Sequence, residues 1–582
     1  MLATAGMTAG AYDFESGGIY YNILPGGDNA VEVTGADGNE YSGDVSIPAE
    51  VTHDGMTYSV TKVGSRAFYM CSSLTSVSMP SVETIDSMAF FYCDNLTSVE
   101  MPEAVTLNYA AFADCHILPS VEMPNVVTIG NLAFDYCNNL ASVYMPKAKT
   151  IGELAFESCY PLASLSMPSV ETISARAFNA CYTLASVSLP ASLASIDGSS
   201  FMGCSALCEI VVDGDNPHYL SIDGILYDKD IETIVLCPGA RTSIDLPSTV
   251  TTIGQGAFSN CSNLTSVTMP SITTIGESAF SNCYNLVTVY MPAVETIGNW
   301  AFNYCFKLLM VSLPASLTSV GINPFADCEA LVEIMVDNDN PCFTSIDGVL
   351  YDKDMETLIC CPAGKTAIDM PATVTVIDTL AFGGCTLLTS VDMPAVTTIG
   401  SSAFFNCNSL LTVSMPEVVT IDDYAFSACQ NLTSVDLPAS VKSIGYSAFS
   451  ICLGLTSVYC HWERPLECDP WFEETVLANA TLYVPDGCVD AYRAVKPWSD
   501  FANIEEGGYS GIADTPGSEM AVKVIDGAIT VEGGDGTASA PVVEVYSAGG
   551  VCVYRGTDSS IGGLGHGIYV VKVGGTVHKV AL

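Results

Sequence analysis

The chain has 582 residues, of which only 14% are charged, yet 64 acidic side chains stand against 18 basic ones for a formal net charge of −46. That balance excludes nonspecific binding to nucleic-acid phosphates or anionic lipid faces as a default role. The length exceeds what one ordinary globular core holds, so the chain must either divide or grow along one axis.

In chain order, Met1–Ala11 reads as the remnant of a secretory signal. Ala9-Gly10-Ala11 fits an A-x-A cleavage site before Tyr12, although no Lys or Arg precedes it. No stretch approaches the roughly 18 apolar residues of a membrane-crossing helix. The mature protein is therefore expected outside the cell.

From Lys62 onward one sentence is written again and again. Leu74–Phe90 reads LTSVSMPSVETIDSMAF, and Leu96–Phe112 reads LTSVEMPEAVTLNYAAF. Anchor phenylalanines recur every 22 residues at Phe68, Phe90, Phe112, Phe134, Phe156 and Phe178, followed by Phe201. Two further trains run Phe258, Phe280, Phe302, Phe325 and Phe382, Phe404, Phe426, Phe449. A fixed period of this size predicts a solenoid, because each unit is too small to bury its own apolar face. In the unit at Leu96, period-two alternation turns Leu96, Val99 and Met101 inward and Ser98 and Glu100 outward. Pro102 ends that strand. A second extended piece, as at Val126–Ile129, is closed by Gly130. The Ala-Phe pair that follows is expected to form a tight helical turn on the core. Stacked strands predict roughly 17 to 19 turns in a rod on the order of 80–90 Å long.

Fifteen of the 24 cysteines sit three residues after an anchor phenylalanine, from Cys71 to Cys452. Parallel side chains in a ladder point the same way, so these are expected as buried free thiols rather than disulfides. Zinc-type C-x-x-C spacing is absent from the ladder, and Cys360-Cys361 are adjacent, which is poor ligand geometry.

Two irregular inserts, near 205–247 and 329–371, interrupt the trains. They carry NPHYLSIDGILYDKDIETIVLCP at Asn216–Pro238 and NPCFTSIDGVLYDKDMETLICCP at Asn340–Pro362, 124 residues apart. A larger block was duplicated. Asp223-Gly224 and Asp347-Gly348 predict hairpin bends. The clusters Asp213–Asn216 and Asp337–Asn340 could ligate calcium but lack a closing bidentate Glu, so turn formation is the expected role. Gly364-Lys365-Thr366 lacks the upstream glycine of a phosphate loop. The run Gly562–Gly567 reads as a turn between strands rather than a dinucleotide fingerprint. Six scattered histidines argue against a Ser-His-Asp or histidine-metal site. The sequon-like Asn95, Asn263 and Asn431 recur at one register and are expected to bond turn backbone.

The unit L-x-S-V-x-M-P…V-x-T-I-G-x-x-A-F-x-x-C and the S-I-D-G-x-L-Y-D-K-D insert resemble the BspA-type leucine-rich repeat family over about Lys62 to Val458. Tyr12–Gly64 resembles the cap that opens such proteins, and Thr481–Glu506 resembles their closing cap. The last 75 residues change character: VEVYSAGGVCVY, GIYVVKV and the closing HKVAL alternate around glycine turns. They resemble the C-terminal sorting domain of the type IX secretion system of Gram-negative bacteria. The expected fold class is α/β and β-rich: a leucine-rich-repeat solenoid with a parallel sheet and caps, followed by a small antiparallel β-sandwich. The expected division is a signal remnant (1–11), an N-terminal β cap (12–61), the solenoid (62–458), a C-terminal cap (459–507) and a sorting-domain-like sandwich (508–582).

Function is sought where the repeat varies. The residue before the inward Val is nearly always Ser or Thr, as at Ser76, Ser98, Ser120 and Ser142, whereas the one after it changes. Glu100, Glu122, Tyr144, Tyr290, Asp392 and Asp436 in that variable outward column are the candidate ligand-binding residues. The family resemblance implies adhesion to host matrix proteins and coaggregation. The expected function is a secreted or cell-surface, adhesin-like protein that holds a protein, cell-surface or glycan ligand. An exported enzyme or glycan-utilisation accessory protein is the alternative. No catalytic residue, metal or cofactor is expected, the protein is expected to be a monomer without a transmembrane segment or nucleic-acid partner, and its place is the extracellular space or outer surface of a Gram-negative bacterium.

Overall fold

The computed structural model describes residues 12–507, apart from 27–28, 36–40 and 469–470, together with strand residues between 521 and 581. The expected signal remnant 1–11 and the glycine run Gly562–Gly567 lie outside the described residues.

One rung explains the rest. Leu118, Val121, Met123, Val126, Ile129, Ala133, Phe134 and Cys137 are all buried. The strand Ser120–Glu122 pairs in parallel with Ser142–Tyr144, which pairs in the same register with Ser164–Ser166. A second, two-residue strand, Thr128–Ile129, lies between Thr106–Leu107 and Thr150–Ile151. Each rung therefore has two sheet sides and a turn edge, with the apolar side chains of all three meeting in the middle. Gly130 follows the second strand because the preceding rung is too close for a side chain. A Cβ there would stand 2.8 Å from the Asn108 carbonyl carbon.

The turn edge corrects the expected helical turn. Around Phe134, Leu132 and Tyr136 hold left-handed backbone, with φ of 60° and 54°. The amides of Leu132, Phe134 and Tyr136 donate to Glu153, Ala155 and Glu157 carbonyls of the next rung, at 2.9, 2.7 and 2.9 Å. An α-helix would direct those amides back along its own chain. Here they run between rungs, so the edge is a third ladder rather than a helix. Non-glycine residues flank other anchor phenylalanines in the same left-handed state, including Met88 and Tyr92, and Ala110 and Asp114. Such conformations cost on the order of 1 kcal/mol each, and the ladder they align offsets that. Among the described residues the helices are Glu474–Asn479, Val489–Tyr492 and the 3-10 turn Trp498–Asp500, all after the repeats. The expected α/β class is thus corrected to a β-solenoid of about 20 turns.

The anchor rings stack down the core. Phe90, Phe112, Phe134, Phe156 and Phe178 follow one another at centroid separations of 4.9, 5.3, 5.2 and 5.2 Å with nearly parallel planes. Cysteine finishes the edge. The Cys159 thiol donates to the Phe134 carbonyl of the preceding rung at 3.3 Å, and Cys137 likewise to Phe112 at 3.2 Å. The residue is small enough to be buried and still supplies a donor. All cysteines whose side chains are described are free thiols, and burial pushes the Cys137 thiol well above its ordinary pKa.

The inserts are rungs of the same rod. Tyr219–Ile222 folds antiparallel onto Ile225–Asp228 around Asp223 and Gly224, whose φ values are 49° and 75°. Phe343–Ile346 and Val349–Asp352 do the same around Asp347 and Gly348. In these rungs Cys237 and Cys361 take the anchor position, donating their amides to Ala257 and Ala381 of the next rung. The fully buried rings of Tyr227 and Tyr351 lie in the same core.

At the start, Phe14–Ser16 and Ile19–Ile23 pair antiparallel, and Ala30–Thr34 and Met56–Val63 lead into the two-residue strands. At the far end Ser457–Cys460, Thr481–Val484 and Asn503–Glu506 continue the outward sheet in parallel. Among the described residues between 521 and 581, seven strands pair antiparallel in one three-stranded and one four-stranded sheet.

Candidate binding face

The outward column is real in register. Glu122 pairs with Tyr144 and Tyr144 with Ser166. Ser78 pairs with Glu100 one rung earlier. Glu100, Glu122 and Tyr144 therefore stand on three successive rungs, all exposed. Tyr290 pairs with Thr268 and is the most exposed ring of the column at 59%, against 50% for Tyr144. Asp392 is exposed and pairs with Ser414. Asp436 is half-buried, and His461 Nε2 lies 2.6 Å from its Oδ1.

The six residues thus share a side but not a site. They lie in five separate short sheets, and the inserts part Glu100, Glu122 and Tyr144 from Tyr290, and Tyr290 from Asp392 and Asp436. Between the strands of Tyr144 and Tyr290 lie the strands Ser164–Ser166, Ser186–Leu189, Glu209–Val212 and Ser266–Thr268 and the first insert, a span on the order of 25 Å at strand spacing. A ligand that touches both must be macromolecular.

Several residues of this side escaped the sequence reading. Tyr459 and Tyr483 continue the column beyond Asp436 and stack at 4.8 Å. Extending the L-T-S-V-Y register from Leu455 into the closing segment would have found them. Met310 is exposed in the column where other rungs carry Ser or Thr, and Leu309, Val332 and Met335 are exposed on the same side. The signal for Met310 is the loss of the hydroxyl before the inward Val311. On the turn edge, outward rings also pair: Tyr160 stacks on Tyr182 and Tyr284 on Phe306.

The hydroxyl column has a structural share. Ser76 and Thr75 donate to Asp44 Oδ1 at 2.6 and 2.8 Å, and these bonds hold its carboxyl below the usual range. Thr97 donates to the Thr75 carbonyl, and Thr433 to that of Leu411. The sequon-like asparagines behave alike: Asn95 and Asn431 donate to the Ser72 and Asn408 carbonyls, both at 2.7 Å. At the insert turns Asn216 Nδ2 donates to the Pro190 and Leu193 carbonyls, while its Oδ1 accepts from the His218 and Tyr219 amides. Asp213 Oδ1 accepts from the Asp215 amide. These are turn-building contacts, and among the described residues no group of three His, Cys, Asp or Glu is placed to hold a metal.

One titratable group on the turn edge stands out. Asp135 has its Oδ1 buried without a hydrogen-bond partner. Burial, with Glu157 and Asp114 nearby, pushes its carboxyl up to about 7.

Two parallel sheets and a turn edge, repeated in register around a leucine-lined core, define a leucine-rich-repeat solenoid. The chain belongs to the BspA-type leucine-rich repeat family, whose repeat region, in six copies, matches 54–162, 127–242, 229–347 and 361–463. Solved structures similar to it include a leucine-rich repeat protein from Bacteroides ovatus, 22% identical, covering 85% of this chain and 100% of that one at a TM-score of 0.38. A leucine rich cell surface protein from Faecalibacterium prausnitzii is 23% identical over 87% of this chain and 97% of that one, at 0.28. The pneumococcal vaccine antigen PcpA is 15% identical over 86% and 100%, at 0.31. No curated protein matches the chain.

Proposed function

We propose that the protein is a secreted or cell-surface, adhesin-like binding protein whose outward sheet side holds an extracellular protein or glycan ligand, host matrix proteins among them. The observation that carries this is the contrast within each rung: the inward positions, the Ala, Phe and Cys of the turn edge among them, repeat almost unchanged, while the outward column changes from rung to rung. A surface that stays regular in backbone and varies in side chain is what recognition needs, since specificity comes from particular contacts rather than area. The acids of that side and the net charge of −46 favour a partner with basic patches. Family membership supports the same role.

In this reading the protein acts at the outer surface of a Gram-negative bacterium, as a monomer and without catalysis. Residues 12–61 and 459–507 close the ends of the solenoid, where core and sheet would otherwise be open. Residues 508–582 form a sandwich that serves export or anchoring after removal of 1–11. The test is binding of the immobilised full chain to a panel of matrix proteins and a glycan array at low and high salt. Saturable binding that weakens with salt is expected. No binding to any member, or binding indifferent to salt, would contradict the reading.

A further inference from the structure

The first insert opens a cleft that the regular rungs do not have. The outward sheet stops at Glu209–Val212 and resumes at Ser266–Thr268. Into the gap project the hairpin tip at Asp223-Gly224 and the segment around Arg241–Asp245, enclosing about 720 Å³. That is the size of a small-ligand pocket. Ile210 and Ile225 contribute apolar wall, and Glu209, Ser221, Asp223, Arg241, Ser243 and Asp245 supply the polar groups.

Arg241 is the unusual member. In a chain with 64 acids and 18 bases, it forms no ion pair among the described residues. Its Nε is buried without a partner. A terminal guanidinium nitrogen lies 3.0 Å from where a Cβ on Gly224 would stand, so the glycine leaves the fork room at the cleft wall. The duplicated block supplies an internal comparison. At an offset of 124 residues Glu333, Asp347 and Asp369 repeat the acids, but Lys365 replaces Arg241 and Ala367 replaces Ser243. The charge is kept there and the planar fork is not.

A guanidinium fork with no internal partner fits a carboxylate through two parallel hydrogen bonds. Three carboxylates around it make a plain anion a poor ligand and add a place for a cation. We propose that the cleft of the first insert binds a carboxylate that carries a nearby cationic group, as in lysine or arginine with a free α-carboxyl, whether the free amino acid or the last residue of a peptide. Arg241 holds the carboxylate, and Glu209, Asp223 and Asp245 hold the cation. This site is independent of the outward tyrosines and stands or falls apart from them.

The test is fluorescence anisotropy on the full chain with a dye-labelled peptide ending in lysine, as the free acid and as the C-terminal amide, with unlabelled lysine as competitor. The acid should bind saturably and the amide at least about tenfold more weakly, the loss expected for a charge-assisted contact. Arg241→Gln should bring the acid down to the level of the amide, and Lys365→Gln should change nothing. Competition by free lysine assigns the site to the amino acid, and its absence assigns it to a peptide terminus. Both support the proposal. Equal affinity of the unaltered protein for acid and amide, or no saturable binding of the acid up to millimolar concentration, overturns it. That comparison needs no variant, so misfolding of Arg241→Gln cannot obscure it.

Discussion

The turn edge and the outward sheet side of a rung are built from the same stretch of chain under different constraints. On the turn edge, Phe134 packs between Phe112 and Phe156, Cys137 donates to the Phe112 carbonyl, and alternate amides bond the next rung. Each group has a neighbour above and below that depends on it, and the residue types hardly change. On the outward side, Glu122 and Tyr144 hold equivalent positions on adjacent paired strands. There the backbone alone makes the ladder, and the side chain is free to differ. Constancy marks what packing demands, and variation marks where recognition has room.

The largest effect should come from breaking the turn edge at its centre. Phe134→Ala removes a fully buried ring from the stack and should destabilise the solenoid by about 3–5 kcal/mol. Neighbouring rungs should loosen with it, because each contacts only the next. Amide exchange across 121–143 is the measurement, and unchanged protection would mean the ring is not the anchor. A smaller loss is expected from Cys159→Ala. It takes one donor from the Phe134 carbonyl, which keeps the Cys137 amide at 3.3 Å, so about 1–2 kcal/mol should be lost in denaturant unfolding. A loss as large as that of Phe134→Ala would show that the thiol does more than fill space and donate.

Asp135 sharpens the contrast through pH. Its folded-state pKa of about 7 lies above the ordinary 3.8 because of burial. The folded state therefore favours the neutral carboxyl. Its contribution to stability is full below about pH 4 and is lost as pH rises through about 7. Asp135→Asn should flatten that part of the stability profile between pH 4 and 8 and leave the protein more stable at neutral pH. An unchanged slope in the variant would mean that other groups set it.

The two sides were not equally legible in the sequence. The period, the inward residues, the phenylalanine stack, the thiol ladder and the hairpins at Asp223-Gly224 and Asp347-Gly348 could be read because each rests on a strong local or periodic signal. The geometry of the turn edge could not. Leu132, Tyr136, Met88 and Tyr92 adopt left-handed backbone, yet none is a residue type that favours it. Bonds to rungs 22 residues away impose that state, and no local propensity announces it. The outward column was legible as a column but not as a site. Its division by the inserts, the Asp436–His461 contact and the cleft beside Arg241 depend on contacts between residues distant in sequence.

The central claim is that the outward side recognises while the turn edge supports. Tyr144→Ser combined with Tyr290→Ser tests it most directly, measured as unfolding stability and as affinity for whichever matrix protein the unaltered chain binds. Stability should stay within about 0.5 kcal/mol, as for exposed substitutions away from the core. Binding should weaken by about 1–2 kcal/mol for each ring that the ligand contacts. A double variant that remains folded and binds as tightly as the unaltered protein would contradict the claim and move recognition to another part of the rod.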